Sequence, residues 1–208
     1  MTRVKVCGIT TRPDLNAAID AGVDAIGLIV DVDVDTPREI DAGLAVELAR
    51  QVPPFVSTVL VTMPDAPETT VDLVDRIKPD VVQVHGDLTP GDLAYLSANV
   101  NGGVVKAVDA ADAKRYEPVA DAMLVDSLDE SGAGGTGETH DWIRTRDAVA
   151  DLDTPIVLAG GLTPENVARA IETVDPYAVD VASGVEDQPG RKDSKAISAF
   201  VRAAGGSP

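Results

Sequence analysis

The 208-residue chain reads as an α/β protein, a single (β/α)8 TIM barrel spanning residues 1–208. Three observations predict it. Eight short apolar runs recur along the whole length: Val4 to Cys7, Ala25 to Val30, Ser57 to Val61, Val81 to His85, Val104 to Ala107, Ala122 to Asp126, Pro155 to Ala159 and Tyr177 to Val181. Segments with helical periodicity lie between them, and no Pro/Gly/Ser-rich linker divides the chain. Eight strand-helix units averaging about 26 residues are tight but sufficient for one closed barrel.

Several intervening segments carry start signals. Asp41 opens a helix that runs to Arg50, and Thr89-Pro90 opens one over Gly91 to Ser97. Ala110 to Tyr116, after the fifth run, has the weakest helical pattern. Thr163-Pro164-Glu165 precedes Asn166 to Val174. Thr163 is expected to cap that helix, because its hydroxyl can accept from an unpaired backbone N–H of the first turn. Pro164 is expected at the first helical position, where its missing N–H costs nothing.

The strands alternate more than buried parallel strands usually do. Side chains two apart share a face, so Lys5 with Cys7 and Gln83 with His85 form polar pairs lining the barrel interior. Val4, Val6, Val82, Val84, Val179 and Val181 then face the helices. The polar groups cluster toward strand C-terminal ends, the end at which barrel active sites lie. A buried ion pair, for example Lys5 with Asp180, is an equally good reading of the same pattern.

Composition narrows the partners. There are 35 Asp+Glu against 17 Lys+Arg, a net charge of −18, which excludes nucleic acid and anionic membranes as expected partners. No uncharged run reaches the length of a spanning helix and the first residues do not form a secretory leader, so the cytoplasm is the expected location. One cysteine and two histidines leave no disulfide framework and no Cys/His zinc cluster, and no metal is expected. Asp far outnumbers Glu, Lys is rarer than Arg, and aromatics are limited to 2 Phe, 1 Trp and 3 Tyr. Such a surface suits molar salt, where the Debye length falls to about 3 Å; an acidic protein of ordinary salinity is the alternative.

Two motif matches carry little. Gly132 to Gly137 fits G-x-G-x-x-G but trails its strand and does not belong to the first βαβ unit, so no nicotinamide cofactor is expected. Asp31 to Asp35 starts like a calcium loop, but Thr36 and Ala42 stand where Gly and Glu are required. Glycine-rich turns after the sixth, seventh and eighth runs say more: Gly134 to Gly137, Ala159 to Leu162, and Ala182 to Gly184. Backbone N–H groups there can hold a phosphate without cationic side chains, and barrels often place phosphate beyond strands seven and eight. The expected phosphate-binding residues are Gly160, Gly161, Ser183 and Gly184, with Gly135 and Gly137.

Val4-Lys-Val-Cys-Gly-Ile-Thr10, Val82-Gln-Val-His-Gly86, Val125-Asp-Ser127, Gly134-Gly-Thr-Gly137, Leu158 to Val167, and Val179 to Glu186 through Pro189 to Asp193 together resemble phosphoribosylanthranilate isomerase over essentially the whole chain. The resemblance implies an Amadori rearrangement in tryptophan biosynthesis, in which N-(5-phosphoribosyl)anthranilate becomes 1-(2-carboxyphenylamino)-1-deoxyribulose 5-phosphate without a cofactor. It implies Cys7 as the general base at the sugar C2 and Asp126 as the general acid at the ring oxygen. Arg38 and Asp180 fall on substrate-binding positions, and His85 is either a substrate contact or a satisfied strand-end histidine. His140, where the family usually has Phe, is given no chemical role. The chemistry requires Cys7 to lose its proton readily and Asp126 to keep one, with Lys5 assisting the thiolate.

The expected partner is thus a small phosphosugar, with the chain acting as a monomer or homodimer. The alternatives are another phosphosugar aldose-ketose isomerase of the same barrel type, or a non-catalytic phosphosugar-binding barrel. Cys7 stands where a histidine-pathway isomerase resembles an aspartate scheme, which disfavours the first alternative. The presence of both Cys7 and Asp126 disfavours the second.

Overall fold

A computed structural model describes residues 1–126 and 142–205. Eight parallel strands close in sequence order: β1 (Arg3–Cys7), β2 (Ala25–Ile29), β3 (Ser57–Thr62), β4 (Val81–Val84), β5 (Gly103–Val108), β6 (Ala122–Val125), β7 (Ile156–Leu158) and β8 (Ala178–Val181). The barrel is sealed by β1 against β8, with Lys5 opposite Asp180. Every apolar run of the sequence is a strand, and each end agrees to within one residue. Around them lie α1 (Arg12–Asp20), α2 (Ala42–Ala49), α3 (Pro67–Ile77), α4 (Pro90–Asn99), α5 (Ala113–Tyr116), α6 (Trp142–Val149), α7 (Val167–Val174) and α8 (Ser194–Ala203). A short antiparallel hairpin, β9 (Glu186–Gln188) with β10 (Arg191–Lys192), leaves the end of β8, and the sequence patterns did not anticipate it.

Capping follows the side chains. Asp41 accepts from the Gly43 and Leu44 N–H groups at the start of α2. Thr89 and Asp92 form a reciprocal capping box on α4, each side chain accepting from the other's backbone N–H. The Thr163 hydroxyl accepts from the Glu165 N–H at 3.3 Å and the Thr163 carbonyl from the Val167 N–H at 3.1 Å, so Thr163 caps the turn that leads into α7, not the regular helix itself. The regular helix starts at Val167, three residues after Pro164, and the preceding turn is braced by the side chain of Asn166. Its Oδ1 accepts from Thr163 N–H at 2.8 Å and its amide donates to the Gly161 carbonyl at 2.8 Å. Ala110 to Tyr116 shortens to the single turn of α5.

The alternation holds in three dimensions. Val4, Val6, Val82, Val84, Val179 and Val181 belong to the main apolar core between barrel and helices, while Cys7, Val59 and Val61 form a small separate cluster. Full burial of each Val, Leu or Ile in that core contributes roughly 1.5–3 kcal/mol. Lys106 is the departure: it pairs in register with helix-facing Val84 and is buried in that apolar layer. Its ammonium donates to the Gly86 and Ala107 carbonyls at 2.7 and 3.0 Å and faces the Tyr116 ring. Among the described residues no helix is long and apolar enough to cross a membrane.

Some of the acidity has a structural role. Asp24, Asp80 and Asp121, each one residue before an even-numbered strand, accept at 2.8 Å from the backbone N–H of Val4, Thr58 and Val104 on the preceding strand. These carboxylates satisfy strand-start donors. Asp24→Ala should therefore destabilise the chain by about 1.5–3 kcal/mol, the range for a hydrogen bond to a charged group. Removing the exposed Asp20 at the end of α1 should cost nothing, since a carboxylate is unfavourable at a helix C-terminus. Urea unfolding of both variants in high KCl checks the contrast.

Candidate active site

Because all eight strands run parallel in a closed barrel, their C-terminal ends share one rim. Cys7 is the last residue of β1, His85 follows β4, Asp126 follows β6, Gly160 and Gly161 lie beyond β7, and Ser183 and Gly184 lie beyond β8. Arg38 sits in the segment between β2 and α2. Asp180 lies deeper, inside β8. Gly135, Gly137 and His140 lie outside the described residues.

Cys7 points into the barrel, where it packs with Val59, Val61 and Ala182. Its neighbour in register is Gly27, where a Cβ would stand 2.7 Å from the Cys7 sulfur. Glycine at 27 therefore makes room for the thiol, a requirement that becomes visible only once β1 and β2 are paired. Lys5 donates to Asp180 at 2.7 Å, so the ion pair and the polar lining are the same feature. Burial works against the Lys5 ammonium, but the Asp180 charge, the Cys7 charge and the hydrogen bonds to both together more than offset it and raise its pKa.

The thiol departs from the expectation of an easily lost proton. Burial pushes the Cys7 pKa up; the Lys5 and Lys192 ammonium groups pull it down, and the Asp180 carboxylate adds to the rise. The physical reason is enclosure among small apolar side chains, which removes water from the thiolate while Asp180 absorbs much of the help from Lys5. His85 stays neutral near physiological pH: burial, then the Lys5 and Lys106 charges, lower its pKa to about 4. Its Nε2 therefore accepts from the Gln83 amide at 2.8 Å, which places the ring proton on Nδ1.

Arg38 is held by a network that sequence inspection missed. Its Nε and Nη2 each donate at 2.8 Å to the two carboxylate oxygens of Glu186. Lys192 donates to Glu186 Oε1 at 2.8 Å and to the Ala182 carbonyl at 3.0 Å. Burial opposes the ionised form of Glu186, yet bonds from Arg38 and Lys192 win and lower its pKa. The signal available was only the spacing of Glu186 and Lys192 in the block after β8.

Beyond β7, Gly160 and Gly161 both have positive φ, 86° and 59°. Gly184, at the single 3-10 turn Ser183–Val185, approaches the Leu162 carbonyl so closely that a Cβ would overlap it. The loops after β7 and β8 are thus in contact. A cavity of about 510 Å³ opens at the opposite rim beside Met1, Arg3, Arg146 and Tyr177 and contains none of these groups. Arg146 itself is paired with Asp147.

A (β/α)8 barrel with an inward thiol, a carboxylate and an arginine at its C-terminal rim, beside touching glycine loops after β7 and β8, has the makings of an acid-base enzyme acting on phosphorylated sugars. The family described as N-(5'-phosphoribosyl)anthranilate (PRA) isomerase matches residues 4–203, and the chain belongs to it. N-(5'-phosphoribosyl)anthranilate isomerase of Natronomonas pharaonis is 64% identical over 206 residues, covering 99% of each chain. Phosphoribosyl anthranilate isomerase from Thermotoga maritima has a TM-score of 0.84 and 34% identity, with 99% of each chain covered. A phosphoribosyl anthranilate isomerase in complex with reduced 1-(o-carboxyphenylamino)-1-deoxyribulose 5-phosphate has a TM-score of 0.80 and 32% identity, again over 99% of each chain.

Proposed function

We propose that this chain catalyses the Amadori rearrangement of N-(5'-phosphoribosyl)anthranilate in tryptophan biosynthesis, with Asp126 as general acid and Cys7 as general base. The observation that carries the reading is the family match over residues 4–203, joined to the placement of Cys7 and Asp126 on the same rim. The protein acts as a monomer or homodimer, in the cytoplasm.

The reaction has two proton transfers. Protonation of the ribofuranose ring oxygen by Asp126 releases it from C1 and leaves a Schiff base between the sugar and the anthranilate nitrogen. That cationic C=N acidifies the C2 proton, which the Cys7 thiolate removes to give an enolamine, and tautomerisation yields the ketose. Lys5 and Lys192 favour the thiolate against its burial. The phosphate rests on backbone N–H groups of Gly160, Gly161, Ser183 and Gly184, with Gly135 and Gly137 completing the cradle. The other substrate anion, the anthranilate carboxylate, then falls to Arg38, whose planar fork suits it. Asp180 and His85 line the sugar subsite.

The test is loss of substrate fluorescence by the purified protein, followed from roughly 0.1 M to 3 M KCl, which takes the Debye length from about 10 Å to below about 3 Å. With a charge of −18, both the chain's self-repulsion and its repulsion of a substrate bearing a phosphate and a carboxylate are screened in salt. Unfolding midpoint and kcat/KM should rise together with KCl. Equal stability and activity at both ends would remove the salt adaptation, and no turnover at any salt would remove the isomerase reading.

A further inference from the structure

We propose that Glu186 is a positioning residue, gripping the Arg38 guanidinium by one edge so that its other edge is presented to the substrate carboxylate. The proposal rests on the reading of Arg38 as the group that meets that carboxylate.

A guanidinium carries five N–H donors and two edges able to bind a carboxylate. Glu186 occupies the side edge, Nε with Nη2, through two bonds of 2.8 Å. The remaining donors, both on Nη1 and one on Nη2, take no acceptor among the described residues. One N–H of Nη1 and the free N–H of Nη2 form the end edge, and the other N–H of Nη1 points toward the Cδ side. Glu186 and the substrate therefore do not compete for the same N–H groups, and a second carboxylate can dock while the first stays bound.

The grip is itself fixed. The Glu186 side chain is only 5% exposed, and the fully buried Lys192 donates to its Oε1 at 2.8 Å, while Gly190 N–H donates to its Oε2 at 3.3 Å. Thr10 ties the hairpin to the end of β1 by donating to the Gly190 carbonyl at 2.7 Å. The stem of Arg38 lies against Gly8, where a Cβ would stand 2.9 Å from the Arg38 Cδ. A long flexible side chain is thus immobilised before substrate arrives, so binding need not freeze it. Two cations and one carboxylate leave the cluster with a positive charge beside the rim of a chain whose net charge is −18. The hairpin between β8 and α8 serves to carry Glu186 and Lys192 to Arg38.

The experiment measures Kd for two ligands, reduced 1-(o-carboxyphenylamino)-1-deoxyribulose 5-phosphate and the same compound made from aniline, which lacks the ring carboxylate. Wild type, Glu186→Gln, Glu186→Asp, Arg38→Ala and the Arg38→Ala/Glu186→Gln double variant are compared at one fixed KCl concentration, with a cooperative urea transition required of each. Glu186→Gln should weaken the carboxylate ligand by about tenfold to a hundredfold, the range for degrading one charge-assisted bidentate contact, and move the aniline ligand by less than about threefold. Glu186→Asp, which keeps the charge but not the reach, should show a smaller loss confined to the same ligand. It carries the test if Glu186→Gln does not fold. In the Arg38→Ala background the Glu186 change should add less than about threefold.

Equal weakening of both ligands by the Glu186 variants, as a purely structural role requires, would overturn the proposal. So would a full additive loss in the double variant, or tighter binding by Glu186→Gln. If Arg38→Ala fails to discriminate between the ligands, the reading of Arg38 falls and the positioning role with it. If Arg38→Ala discriminates and the Glu186 variants do not, the positioning role falls alone.

Discussion

Cys7→Ala and Asp126→Asn should each lower kcat by roughly 10²- to 10⁴-fold, the range for losing a general base or acid, with the barrel intact. Both groups act on protons that move only in the transition state, so kcat and kcat/KM should fall together. The fold should survive because Cys7 sits in a small cluster of its own, outside the main core, and Asp126 lies just beyond the end of β6. A second readout separates base from bystander. Burial raises the Cys7 pKa, so the active thiolate is scarce near neutrality and kcat/KM should climb with pH on the alkaline side. That rising limb should vanish from the residual activity of Cys7→Ala. Near-normal turnover by Cys7→Ala where chemistry limits the rate removes Cys7 from the mechanism.

Lys5→Met should destabilise the fold by about 3–5 kcal/mol, the cost of leaving one partner of a buried ion pair uncompensated. Both side chains are 7% exposed and the pair is closed at 2.7 Å, so water cannot replace the lost ammonium. The Lys5→Met/Asp180→Leu double variant should recover most of that stability, because removing both charges also removes both desolvation costs. The pH dependence follows from the raised pKa of Lys5. In the native state the ammonium keeps its proton beyond its ordinary 10.5, so its contribution is complete below about pH 10.5 and is lost as pH rises through the native value. Urea midpoints across pH 7 to roughly 12 for wild type and double variant test this. Equal midpoints for Lys5→Met and wild type would mean that the pair is solvated and contributes nothing.

The contrast between these two variants shows where sequence reading succeeds. The position of Cys7 in Lys-Val-Cys-Gly-Ile-Thr and at the end of an apolar run was enough to place it at the rim. The inward direction of Lys5, Cys7, Gln83 and Asp180 was equally legible, since a period of two sorts side chains between barrel and helix layer whatever the partners are. Lys106 follows the same period to the helix side, and only the carbonyls of Gly86 and Ala107 explain why a lysine is tolerated there. Thr163-Pro164-Glu165 shows a local signal read one turn early: the Thr163 hydroxyl does accept from the Glu165 N–H, but the regular helix begins only at Val167, after a turn braced by Asn166.

By itself, then, the sequence determined the eight strand-helix units, the facing of β1, β4 and β8, the rim that holds Cys7 and Asp126 and the family to which the residues point. These are carried by spacing and by short contiguous motifs, both local in the chain. Tertiary structure decided the rest. Only barrel closure brings Lys5 to Asp180, 175 residues away, and Arg38 to Glu186, 148 residues away. It alone made Gly27 necessary to the Cys7 sulfur and gave Asp24, Asp80 and Asp121 strand-start donors instead of merely a salted surface. It also reversed the expected direction for the thiol, because a pKa depends on how much water a folded neighbourhood removes and on which charges it brings within reach, and neither is defined until the strands have closed.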